Sequence, residues 1–239
     1  MGSTGATGLL KGRPGSVKHL PITGEGGIDS WEARMKGEAA KMPGQGKVEY
    51  GILFDSNGQA IDGYLGNEHS VLTDKKVWGK EGEGVKDGIF THFHPDNDFG
   101  GTLSMQDLAV YADSDLKEIR AFSQQGQLYS VKAGPNADKK KLASWVKKNK
   151  KLQQKNFEKS YESALKAATT PLKSGPHKGQ VKLVNRNTGK TVYRDPMTDK
   201  QAQAYARAYS VGSYDRMYKK NLEKYGFTYT ATKAGKKNQ

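Results

Sequence analysis

Val85-Lys86-Asp87-Gly88-Ile89-Phe90-Thr91-His92-Phe93-His94-Pro95 decides how this chain is read. The apolar pair Ile89-Phe90 leads into two histidines one residue apart, and a proline closes the stretch. A short apolar run bounded by turn residues reads as a buried strand, here predicted over 85–93. Side chains alternate faces along a strand, so His92 and His94 point the same way. Two nitrogens on one face are what one metal ion requires. A polar, glycine-containing loop follows from Pro95 to Gly101. Ser104 is then a good N-cap for a helix through about 112, with Asp107 in its first turn.

Working outward, 48–54 reads as a strand, Asp55-Ser56-Asn57-Gly58 as a hairpin turn and 61–64 as the return strand. A third short strand is expected at 70–72. Beyond the helix, 119–122 and 128–131 flank a turn at Gln125-Gly126. Residues 45–134 thus make a mixed core. The glycine-rich segment before it, 1–44, reads as a flexible arm. Within it a short helix starts at Asp29 or Ser30, runs to Met42 and ends at Pro43-Gly44. Gly134-Pro135 marks the second boundary, and 135–239 reads as a basic helical extension. A long basic helix or helix pair over 138–168 has few apolar anchors, among them Trp145, Leu152, Phe157 and Leu165. A hairpin pairs 181–184 with 191–193. Thr198 caps a second long helix over 199–225, ended by Gly226. Its tyrosines Tyr205, Tyr209, Tyr214 and Tyr218, near helical spacing, are assigned to packing. A last strand at 227–230 could return to the first sheet, and 233–239 reads as a frayed tail. The fold class is α+β, an α/β sandwich of a mixed sheet with flanking helices.

Composition sets limits. Hydrophobic residues are 34% of 239, and there are 29 glycines, which predicts a modest core with long polar arms. The absence of cysteine excludes disulfides, thiolate metal ligands and thiol nucleophiles. No apolar run reaches the roughly 18 residues of a membrane span, and the N-terminus lacks the pattern of a secretory signal. The net charge of +14 is uneven. Residues 1–131 carry 13 basic against 18 acidic side chains, and 132–239 carry 26 against 7. The basic half is expected to attract polyanions such as DNA, or acidic protein surfaces.

A metal hydrolase site needs nitrogen or oxygen ligands, an open position, and a base for water. His92, His94 and Asp107 are the candidate ligands. Glu49, at the start of an early strand, is the candidate base, and Glu68 the substitute for it. Ser104 could donate to a developing oxyanion. Each residue also has a plainer reading. Ser104 and Asp107 make an ordinary helix start, Glu49 a solvent-facing strand residue, and Asp96 and Asp98 a loop turn. His19, His69 and His177 are isolated and are assigned no role.

The order Glu49, His92-Phe93-His94-Pro95, Ser104-Met105-Gln106-Asp107 resembles the JAMM/MPN metallopeptidases, whose members are zinc-dependent peptidases and isopeptidases on an α/β fold. The resemblance implies one zinc ion held by His92, His94 and Asp107, with Glu49 as general base and Ser104 as oxyanion donor. Nine residues separate His94 from Ser104, two more than is usual in that family. A wider likeness covers 48–135. His-x-His-Pro, Ser-x-x-Asp-Leu, Leu116-Lys117-Glu118-Ile119-Arg120-Ala121, Tyr129-Ser130 and Gly134-Pro135-Asn136 look like domains appended to Mu-F-like phage head morphogenesis proteins. Tyr225-Gly226-Phe227-Thr228-Tyr229 fits the closing strand of such domains. This implies a virion-related role with capsid or other virion proteins as partners, DNA as a further partner of 132–239, and residence in the virion or host cytoplasm. The alternative is a non-catalytic phage structural protein binding DNA or capsid through that half. A third likeness, to metallo-β-lactamase-fold hydrolases, rests on His92-Phe93-His94-Pro95-Asp96 and Gly100-Gly101. There Asn97 stands where that motif has its next histidine, and only His177 remains downstream.

Overall fold

The structure, a computed structural model, describes residues 8–11, 15–20, 22, 26–37, 47–67, 70–79, 84–95, 102–123, 126–184 and 190–232. The expectations for Glu68, His69, Asp96–Gly101 and the 233–239 tail lie outside these. In chain order the elements are β1 (Gly8–Lys11), β2 (Lys18–His19), α1 (Ile28–Gly37), β3 (Tyr50–Phe54), β4 (Ala60–Leu65), β5 (Ser70–Thr73) and α2 (Lys75–Trp78). Then come β6 (Ile89–His94), α3 (Met105–Ala112), β7 (Glu118–Ser123), β8 (Leu128–Ala133), α4 (Lys139–Thr169), β9 (Val181–Val184), β10 (Thr191–Arg194), α5 (Asp199–Lys224) and β11 (Phe227–Thr232). The chain forms two compact units. The first comprises residues up to 97, 101–149 and 221 onward; the second comprises 98–100 and 150–220.

The first unit is built on a seven-stranded mixed sheet in the order β11-β8-β7-β6-β3-β4-β2. Only β6 and β7 run parallel, because α3 carries the chain back between them. Alternation along β6 divides the core. Ile89 and Phe93 join Tyr50, Ile52, Phe54 and Trp31 of α1 in one apolar cluster. Phe90, His92 and His94 face the opposite way, toward the side on which Asp107 of α3 lies. Gly51 lies opposite His92. A Cβ there would collide with the Phe90 ring, so this close approach needs glycine. At the far edge, Gly226 (φ +83°) ends α5 and turns the chain into β11, which pairs with β8. The predicted closing strand is therefore an edge of the main sheet.

The structure adds to two expectations and corrects a third. Within the arm, Gly8–Lys11 pairs in parallel with Ser70–Thr73, and Lys18–His19 adds to β4. Extended chain is captured by unpaired sheet-edge amides whatever its glycine content. The expected third short strand forms as β5, and it pairs with β1 in a separate two-stranded sheet. β6 starts at Ile89, not at 85, because Lys86-Asp87-Gly88 turns, with Asp87 at φ 55°.

The second unit pairs β9 with β10 as a separate two-stranded antiparallel sheet. Val181 and Leu183 pack with Ala168 and Ala202. Phe157 stacks with Tyr214, and Tyr218 is fully buried, as packing residues. Thr198 caps α5 reciprocally with Gln201. Among the described residues no helix is long and apolar enough to cross a membrane.

Candidate metal centre

The site forms where the carboxyl end of β6 meets the amino end of α3. In open sheets such crevices at the carboxyl ends of parallel strands hold ligands. Ser104 is the N-cap of α3, with extended backbone. Its Oγ accepts from Asp107 N at 3.1 Å, and Asp107 Oδ2 accepts from Ser104 N at 2.6 Å. This reciprocal capping box fixes the carboxylate. Asp107 Oδ1 then stands 3.3 Å from His92 Nε2, and Oδ2 stands 3.7 Å from His94 Nε2. All three side chains are buried, and their ligand atoms lie within 4.8 Å of one another.

These separations suit one small cation. Ligands at about 2.0–2.1 Å from a tetrahedral zinc ion lie about 3.3 Å apart. His92 Nε2 meets that spacing to Asp107 Oδ1, and His94 Nε2 exceeds it by a few tenths of an ångström to the other oxygen, Oδ2, so the two distances do not share one ligand atom. The ring nitrogens of His92 support the fit. Both are buried, and neither makes a hydrogen bond. Buried polar atoms are normally satisfied, and an unbonded pair marks a bound partner or a functional role. Zinc ligands usually donate their second ring nitrogen to an acceptor. Here the His92 ring is instead held by Phe90, stacked at 5.9 Å, and by the edge of His94 at 4.6 Å.

Glu49 is fully buried and precedes β3 by one residue. Tyr50 lies opposite Phe93 and Gly51 opposite His92, so the same register sets Glu49 opposite His94. Directly opposed residues of an antiparallel pair share a face. Glu49 is therefore on the face of the two histidines, not a solvent-facing residue. Its backbone is pinned from the other side, its N–H donating to Asn67 O and its C=O accepting from Gly66 N.

All five candidate residues thus fall on two adjoining strands and the start of one helix. The side chain of Ser104 is engaged in the cap, the plainer of its two readings. Sequence reasoning missed a second group, His19, Asp62 and Asp74, whose ligand atoms also approach within 4.8 Å. No spacing signal could have shown it, because the three residues come from β2, β4 and the N-cap of α2. His177 stacks on Tyr193 at 3.7 Å in the second unit. No family model, curated protein or solved structure matches this chain.

Proposed function

We propose that this chain is a JAMM-like, zinc-dependent hydrolase of peptide or isopeptide bonds, set in a virion-associated protein. The observation that carries the proposal is the buried His92, His94 and Asp107 group with Glu49 placed opposite His94. Zinc in that position would acidify water and polarise a carbonyl. His92, His94 and Asp107 would hold the ion. Glu49, buried beside them, would take a proton from the attacking water and return it to the leaving amine. Ser104 would donate its hydroxyl to the developing oxyanion. The virion setting is supported by the run of motifs across 48–135 and the closing strand β11.

A second reading rests on Asp107 itself. Its carboxylate closes the cap of α3 with or without a metal. In that case the protein is a non-catalytic virion component. Metal analysis of purified protein separates the two. The hydrolase reading expects one zinc per chain, lost in His94→Ala, and kept in Glu49→Gln together with loss of isopeptide cleavage. Protein that takes up no zinc at neutral or alkaline pH would overturn it.

A further inference from the structure

The second unit contains a cleft of about 300 Å³ lined by Ser163, Lys166, Ala167, Thr170, Leu172 and Lys182. The lining residues are two lysines, two hydroxyl side chains, Ala167 and Leu172, and none of them is a carboxylate. Among the described residues, neither Lys166 nor Lys182 makes an ion pair. Residues 150–220 hold 16 basic and 5 acidic side chains, although Glu162 stands one helical turn before Lys166. In a region with this excess of positive charge an anion relieves the repulsion between lysines. The hairpin adds a second feature. Lys182 lies directly opposite Tyr193, so the two share one face of the β9–β10 sheet. Tyr193 stacks face to face with His177, interplanar angle 5°, making a flat aromatic surface on that face. Phosphate-seating lysines beside a flat aromatic surface are the two parts of a single-strand nucleic-acid groove.

We propose that this cleft binds a phosphate of a nucleic-acid backbone, with Lys166 and Lys182 neutralising the charge and Ser163 and Thr170 donating hydroxyl hydrogen bonds. The cleft belongs to the second unit, and its test does not rest on the metal-centre reading.

The test is fluorescence anisotropy of the full chain with a labelled single-stranded DNA oligonucleotide across a salt series. Replacing both lysines, Lys166→Ala with Lys182→Ala, is expected to weaken binding at least about tenfold and to lower the salt slope on a single strand by about 1.4. The control, Lys200→Ala with Lys219→Ala, removes the same charge elsewhere in the unit and is expected to change affinity less than about threefold. Equal losses in the two double variants would show only diffuse attraction and overturn the site, as would the absence of binding at low salt. Inorganic phosphate separates a backbone from a free anion. Competition only at high millimolar concentration is expected, whereas phosphate binding as tightly as the oligonucleotide would overturn the nucleic-acid assignment. Circular dichroism of each variant confirms that the fold is intact, and Lys166→Arg with Lys182→Arg should restore most of the affinity.

Discussion

The first unit brings histidine and carboxylate together twice, and the two groups differ in what already occupies them. At the sheet edge, Lys76 Nζ is 2.7 Å from Asp62 Oδ2, and His19 Nδ1 is 2.9 Å from Asp62 Oδ1. The Tyr64 hydroxyl donates to Asp74 Oδ1, which also accepts from Lys76 N as the N-cap of α2. The carboxylates here have donors, and an ammonium is already paired with Asp62. In the interior, Asp107 faces imidazole nitrogens, and those of His92 have no hydrogen bond. Distance alone does not separate the groups, since both meet the same 4.8 Å limit. The presence of a resident cation does.

The largest effect expected from this difference is in metal content. His92→Leu should take zinc from one per chain to a background level, while Asp62→Asn should leave it unchanged. Zinc lost equally in both variants, measured by mass spectrometry of dialysed protein, would break the comparison. The metal-free stability of His92→Leu sharpens it. His92 has no hydrogen bond to lose, so replacement by an apolar residue of similar size should change stability by less than about 1 kcal/mol, or raise it. A loss of several kcal/mol in urea denaturation would mean that His92 is a structural residue.

The next effect is on the cap. Ser104→Ala removes the acceptor for Asp107 N, and should cost about 1 kcal/mol of stability. It also loosens the carboxylate that faces the histidines, and should weaken zinc binding about 10–100-fold. Calorimetric titration of the variant reads both. Stability lost with zinc affinity unchanged would separate the cap from the metal centre.

Local signals made this much legible. His-x-His alternates on a strand, and Ser-x-x-Asp closes a capping box within one helical turn, so both are written over a few residues. The same holds for Thr198 with Gln201 and for Gly226. What the sequence did not reveal is non-local. Nothing near Gly8 announces its pairing with Ser70, and β6 was read four residues too early because the 86–88 turn interrupts an otherwise apolar approach. The place of Glu49 was inferred from an expected strand neighbour, but its face depends on the β3–β6 register, which only the pairing shows. The edge group was invisible for the same reason: Asp62 is 43 residues from His19.

The smallest effect expected concerns that edge group, and its sign follows from its two partners. Burial alone would raise the Asp62 carboxyl, but the hydrogen bonds from Lys76 and His19 hold it below its ordinary value of 3.8. A carboxyl depressed in the folded state adds stability above its unfolded value and loses it as pH falls through the folded one. The hydrogen bond to Asp62 in turn holds Lys76 above its ordinary 10.5. That contribution is complete below 10.5 and is lost as pH rises through the folded value. Their joint contribution is therefore a plateau across neutral pH that falls at both ends. Lys76 is 56% exposed, so solvent screening limits the plateau to about 0.5 kcal/mol. The stability difference between the native chain and Asp62→Asn, followed by urea denaturation, should keep that value from pH 5 to 9 and decline as the pH falls below 3.8. A difference that grows as the pH falls would have the wrong sign for a carboxylate already paired with an ammonium, and would return the edge group to the list of metal sites.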